Sequence, residues 1–302
     1  MMIHHNMEEI TIEELYNFYC QYTKNSTIYV VLSEQVFMEK LVTNKLVSIC
    51  IENNQITGFA SGVIDGTKGY ISIVYGEHKI DLINDLEMQF KTHDITEVLI
   101  HFFNPVSLPW YPLKDIVHPC YQGVILDSEM HDMYLELGYQ EHSIQDTYYH
   151  DLEGYSNHYP VHPDSHISFV YYDASLHKGL FSFAEEINAP LWKKVIFENQ
   201  EKATPLPLLV AMDQDKVIGF TGPLKVTEDN RGFFAGIGVL ERYRGRKIGT
   251  YLFHKLCESL QEMNARYMTL YTGRNNPAKN IYMGAGFTVV TSFVTLKKSV
   301  KE

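Results

Sequence analysis

Arginine is missing from the first 230 residues of this 302-residue chain and from the last 28; all six arginines fall between Arg231 and Arg274. Residues 1–150 set 7 lysines against 21 carboxylates, a balance that repels phosphate and argues against nucleic acid as a partner. The simpler consequence is a soluble acidic surface, with a mild preference for a cationic partner. Cysteine is also scarce. Cys20, Cys50, Cys120 and Cys257 lie far apart with no Cys-x-x-Cys spacing, so free thiols in a reducing compartment are expected. No apolar run reaches the length of a membrane span, and Met1 to Glu14 lacks the apolar stretch of a secretion signal. A soluble cytoplasmic protein is therefore expected. His158, His162 and His166 recur every four residues, but Pro160 and Pro163 forbid the helix that would gather them, so no metal site is expected. A Gly-x-Ser-x-Gly elbow is absent, and Gly236-Ile-Gly238 has no third glycine before a helix. Serine hydrolysis and nicotinamide binding lose their support.

Two parts of the chain read alike. Leu46–Glu52 and Gln55–Val63 form a hairpin pattern around Asn53-Asn54; Leu208–Met212 and Lys216–Leu224 form another around Asp213-Gln214-Asp215. The second strand of each carries Gly-Phe, at Gly58-Phe59 and Gly219-Phe220. Farther on, Tyr134 to Tyr139 and Tyr282 to Phe287 share a Tyr-x-x-x-Gly-aromatic pattern. The repetition in one order implies two degenerate copies of a single fold. The Pro- and Gly-bearing stretch 151–165 separates a first domain, 1–150, from a second, 166–302. In the second, a helical pattern over Lys178–Glu198 splits at Pro190, and a strand covers Gly232–Leu240. Ile248, Leu252, Leu256, Leu260 and Met263 recur at helical spacing, followed by a strand at Arg266–Tyr271, a short helix at Pro277–Met283 and a strand at Thr288–Leu296. The fold class expected is mixed α/β: in each domain a mixed, mostly antiparallel twisted sheet flanked by helices.

The densest arginine cluster sits between strand and helix. Val239-Leu-Glu-Arg-Tyr-Arg244-Gly245-Arg246-Lys247-Ile248-Gly249-Thr250 resembles motif A of the GNAT superfamily of N-acetyltransferases, a strand, an Arg/Gln-x-x-Gly-x-Gly/Ala loop and a helix. Asn275-Asn-Pro-Ala278-Lys-Asn-Ile281-Tyr282-Met-Gly-Ala-Gly286-Phe287 resembles motif B. The resemblance is clear over 165–300 and faint over 1–150, as in tandem members of that family. It implies acetyl-CoA as cofactor. The pyrophosphate would rest on main-chain N–H groups between Arg244 and Gly249, which include Gly245, Arg246, Lys247 and Ile248, at the positive end of a helix, with arginine forks beside it; Thr250 belongs to the same cofactor site. Ile237, Gly238 and Val239 would hold the pantetheine amides along a splayed strand that Gly236 and Gly238 suit. Asn275 and Ala278 would line the pantetheine arm. Tyr282 would be the general acid that protonates the departing thiolate.

Lys247 stands where the family usually has a glycine, and no carboxylate lies in Phe233–Gly236 where some relatives keep a base. The activity implied is N-acetylation of a primary amine, on a small molecule or an amino terminus; the alternative is an acyl-CoA-binding sensor without turnover. In the first domain the segment Gly76-Glu-His-Lys-Ile-Asp81 has no such loop, so coenzyme A binding is not expected there. The aromatic- and proline-rich stretch 102–112 either lines an acceptor site through Trp110 and Tyr111 or is a packed insertion. The oligomeric state is not legible.

Overall fold

The computed structural model describes residues 2–5 and 10–300. The chain divides into two compact units. Unit 1 is Met1–Thr147 with Val290–Glu302, and unit 2 is Tyr148–Val289.

In chain order, unit 1 contains β1 (Met2–His4), α1 (Ile12–Lys24), α2 (Glu34–Phe37), β2 (Leu46–Glu52), β3 (Gln55–Asp65), β4 (Lys68–Gly76) and α3 (Lys79–Thr92). It continues with β5 (Glu97–Ile100), the small ribbon of β6 (Trp110–Leu113) and β7 (Ile116–His118), β8 (Val124–Ile125), α4 (Glu129–Glu136) and the first part of β9 (Gln140–Asp151). The hairpin between β2 and β3 turns at Asn53 and Asn54, at φ 50° and 60°, a left-handed pair that asparagine tolerates. Alternation along the strands then fills two cores. Ile49, Phe59, Ile73 and Tyr75 pack with Leu15 and Tyr19 of α1, while Cys50, Ala60 and Val74 pack with Leu82, Leu86 and Phe90 of α3. A period of two places these neighbours on opposite faces. Both faces are covered, so the strands read as near-continuous apolar runs.

Unit 2 contains β10 (Ile167–Tyr171), α5 (Leu180–Glu186), α6 (Pro190–Gln200), β11 (Leu209–Asp213), β12 (Lys216–Val226), β13 (Arg231–Val239), α7 (Ile248–Glu262), β14 (Tyr267–Gly273) and α8 (Lys279–Gly284). Its strand order runs from the end of β9 through β14, β13, β12 and β11 to β10. All the registered pairs among β10 to β14 are antiparallel except that of β13 with β14. The same alternation recurs: Leu209, Ala211 and Ile218 meet Leu252, Phe253 and Leu256 of α7, and Val210, Met212 and Phe220 meet Leu180, Phe183 and Ile196 of α5 and α6. Each fully buried Leu or Phe on α7 contributes about 1.5–3 kcal/mol. Pro190 opens α6 at its first position rather than breaking a helix, where its missing N–H would be unpaired in any case.

The final strand, β15 (Thr288–Ser299), differs most from the sequence reading, which left 166–302 together. From Val290 onward it groups with unit 1, pairing antiparallel with β5 from Leu296 with Ile100 to Ser299 with Glu97. Val294 and Leu296 are fully buried in the core beneath α3. The reason is chemical: a β-branched strand can complete either sheet, and sequence alone does not say which. Each unit owns one tryptophan, Trp110 in unit 1 and Trp192 in unit 2. In a Trp192→Phe background, Leu296→Ala should destabilise the unfolding transition reported by Trp110 fluorescence by about 2–5 kcal/mol. An unchanged denaturant midpoint would remove β15 from the unit 1 core.

Candidate functional site

β13 and β14 hold together in parallel only at Arg231 with Tyr267 and Gly232 with Met268. Beyond Gly232 no ladder joins them among the described residues, so the edge of β13 toward β14 is open from Phe233 to Val239. On its other edge β13 stays zipped to β12, with Ile237 opposite Thr221, Gly238 opposite Phe220 and Val239 opposite Gly219. The strand is thus held firmly on one side and presents main chain on the other.

At its end the chain makes one 3-10 turn over Glu241–Tyr243 and enters the loop from Arg244 to Lys247. Gly245 has φ 79°, and Lys247, the residue before α7, has φ 59°. A Cβ on Gly245 would meet nothing within 4 Å, so it is the backbone angle that calls for glycine there. Lys247 takes the same left-handed region with a side chain, at a cost of about 1–2 kcal/mol. The turn leaves six consecutive main-chain N–H groups, Gly245 through Thr250, without a hydrogen-bond partner among the described residues. No side chain among the described residues caps the helix. Gly249 serves packing instead: a Cβ there would lie 3.2 Å from Cδ1 of Ile281, which lets α8 close on α7.

The arginines are not equivalent. Arg242 pairs with Glu186 and lies over the Tyr243 ring. Arg246 is held by Asp164 at 2.6 Å, and its carbonyl oxygen lies 3.0 Å from Nε2 of His162. Arg244 is exposed and makes no ion pair among the described residues. Lys247 is exposed as well. Two cations therefore stand beside the open N–H groups without an acidic partner.

Tyr282 lies on α8, 6% exposed, with its ring 4.9 Å from that of Phe253 and 5.8 Å from that of Tyr148. Burial, with the neighbouring Tyr148 phenol, pushes its pKa up to about 12. Its hydroxyl makes no hydrogen bond among the described residues. A phenol so placed stays protonated and has a proton to give. Ahead of α8, Oδ1 of Asn276 accepts from the Ala278 N–H at 3.0 Å. The turn before the helix is thus fastened by Asn276, while Asn275 is exposed and its side chain makes no hydrogen bond among the described residues. An Asn followed by Pro is a turn signal from which this fastening could have been read. Asp229, in the turn ahead of β13, accepts from the Tyr267 hydroxyl at 2.6 Å. Burial opposes its ionisation, yet hydrogen bonds from Thr227 and Tyr267 outweigh this and hold its pKa below the ordinary value.

Gly236 and Gly238 have a packing reason as well as the splay. A Cβ on Gly236 would sit 2.5 Å from Nε1 of Trp192, and one on Gly238 2.9 Å from its Cζ3 and 2.5 Å from Cδ1 of Ile187. The two glycines make room for an indole laid across β13. Sequence carried no signal for Trp192, because the match between a residue on α6 and two strand positions exists only in three dimensions. In unit 1, Trp110 is 1% exposed, donates from Nε1 to the Cys120 carbonyl at 3.0 Å and meets Phe293 edge-on. Trp110 is thus packed within unit 1, and Tyr111 is half-buried.

Residues 174–287 match the model of the acetyltransferase (GNAT) family. The structure is similar to a tandem GNAT protein from the clavulanic acid biosynthesis pathway, at 11% identity and TM-score 0.62, covering 100% of this chain and 99% of that one. It is similar to a glucosamine N-acetyltransferase region in a fungal multi-domain GH3 β-N-acetylglucosaminidase, at 14% identity and TM-score 0.67, covering 98% of this chain but only 38% of that chain. It is also similar to a GCN5-related N-acetyltransferase from Sphaerobacter thermophilus, at 14% identity and TM-score 0.58, covering 85% and 81%. A search of curated proteins finds no match to this chain. At such identities the structural likeness speaks for the fold. The family match itself is confined to residues 174–287; over the whole chain the likeness to a tandem GNAT structure is one of fold.

Because Gly238 faces both Trp192 and Ile187, Gly238→Ala should destabilise the protein by about 1–3 kcal/mol. Thermal denaturation checks this; an unchanged midpoint would mean the indole does not press on β13.

Proposed function

We propose that this protein transfers an acetyl group from acetyl-CoA to a primary amine, on a small molecule or an amino terminus, and that unit 2 does the work. The observation that carries the reading is the run of six unpartnered N–H groups from Gly245 to Thr250. Orphan donors at the positive end of a 15-residue helix form an anion site, and Arg244 with Lys247 adds charge beside it. The chemistry of this donor set fits the pyrophosphate of coenzyme A. Arg246, already held by Asp164, acts mainly to fix the loop. The open edge of β13 at Ile237, Gly238 and Val239 suits main-chain pairing with an amide-bearing arm, as an added strand would pair. Asn275 and Ala278, ahead of and at the start of α8, would line the same arm.

When bound, the thioester supplies an activated acetyl group. A neutral amine attacks its carbonyl carbon, forming the C–N bond, while a main-chain N–H of β13 steadies the developing oxyanion. As the C–S bond breaks, Tyr282 gives its proton to the sulfur. The amine's own proton leaves to water, since β13 carries no carboxylate. That lack, with Lys247 in the loop, favours the second reading: an acyl-CoA-binding module without turnover. A cytoplasmic site of action, where the thioester is abundant, suits the first.

Calorimetric titration with acetyl-CoA should give one site per chain. Replacing Arg244 and Arg246 together by Glu should abolish binding, and retained affinity would misplace the anion site. Tyr282→Phe should lower turnover about 10²–10⁴-fold with affinity nearly unchanged. Binding without turnover on any amine would select the second reading. The pH dependence has a definite sign. The acid form of Tyr282 is lost only as pH rises toward about 12, so turnover should show no alkaline loss near ~10, where an exposed tyrosine titrates. A falling limb near ~10 in the pH profile would exclude Tyr282 as the acid.

A further inference from the structure

Unit 1 repeats the strand divergence without the phosphate loop. β4 and β5 pair in parallel at Lys68 with Glu97, Gly69 with Val98 and Tyr70 with Leu99. β4 then runs on from Ile71 to Gly76 with no further pairing to β5. A cavity of about 180 Å³ occupies the gap, walled by that stretch of β4, the end of β5, the loop after it and the start of α4.

The wall defines what could fill it. No Asp, Glu, Lys or Arg lines the cavity, although residues 1–150 carry 21 carboxylates. His101, at its edge, is held uncharged: burial, then His142 and Lys68, lowers its pKa to about 4. Tyr75 and Tyr134 line the cavity, 5% and 2% exposed, and neither hydroxyl makes a hydrogen bond among the described residues. Neither oxygen is sealed off from the cavity, so both phenols offer a donor to an acceptor that enters it from outside the chain. Burial raises the pKa of both, which keeps them donors. A carboxylate or an ammonium would lose its hydration here with no opposite charge to replace it. Coenzyme A fares no better, because Glu77 and His78 stand where unit 2 has its arginines and Lys247.

We propose that unit 1 carries a second binding site, for a small uncharged molecule. Its apolar body, about the size of one six-membered ring, fills the cavity, and its hydroxyl or carbonyl oxygen accepts from Tyr75 and Tyr134. The size follows from cavities of about 150 Å³ that hold benzene. This site is independent of the acetyl-transfer reading and stands or falls without it.

The test is titration of the full chain, by calorimetry and protein-observed NMR, with two neutral probes, p-cresol and cyclohexanone. Charged analogues of matching size, p-toluate and 4-methylbenzylammonium, run beside them. At least one neutral probe should saturate, with both charged analogues at least about tenfold weaker. Tyr75→Phe and Tyr134→Phe should each weaken the neutral probe about 3–10-fold, the loss of one hydrogen bond. Val106→Trp, which fills the cavity from its loop, should abolish binding while circular dichroism stays unchanged. Should that variant fail to fold, Ile125→Phe on the opposite wall serves the same purpose. Saturation by neither neutral probe, charged analogues binding equally well, or binding that survives a folded cavity-filled variant would each overturn the proposal.

Discussion

Two parallel register pairs, Arg231 with Tyr267 and Gly232 with Met268, decide what the second unit can do. A sheet whose strands remain paired to the end has no main chain to offer a ligand. Here the ladder stops early, yet β13 cannot fray, because β12 grips its other edge and an indole lies across Gly236 and Gly238. The strand's end therefore arrives at a fixed place. The left-handed turn at Gly245 and Lys247 then swings the chain into α7 with its first N–H groups outward. Strand, loop and helix start form one rigid piece, and Tyr282 is pressed against it through Phe253 of the same helix.

Unit 1 shows the same framework with different chemistry. His78 precedes α3 at φ 54°, matching Lys247 before α7 at φ 59°. The left-handed entry into the helix persists, but the loop is Gly76-Glu77-His78 and carries no arginine. His78 is instead 3.2 Å from Glu52. A turn geometry can thus stand without the charge that would suit an anion. Backbone angles answer to local sterics, whereas ligand preference answers to a few side chains.

Much of this was legible in the residues. Hairpins announced themselves through Asn53-Asn54 and Asp213-Gln214, and the stripe from Ile248 to Leu260 gave the buried face of α7. Motif spacing marked the loop. What stayed hidden depended on partners remote in sequence: Asp164 holding Arg246, Glu186 holding Arg242, and Trp192 reaching two glycines. A count of arginines cannot tell a free guanidinium from a paired one. The unit 1 cavity was invisible for a similar reason, since a void is what side chains from several elements fail to fill. The placement of β15 was hidden because β propensity names a strand, not its neighbour.

That last placement has a consequence for how the protein is made. Domains commonly fold in order as a chain leaves the ribosome. Unit 2 is complete in sequence once Val289 has emerged, whereas unit 1 still lacks Val294, Leu296 and Val300, all buried in its core. The half that is synthesised first must wait, with part of its apolar interior uncovered, for the half synthesised second. Its long acidic, arginine-free surface gives a nascent chain in that state a charge that keeps copies apart.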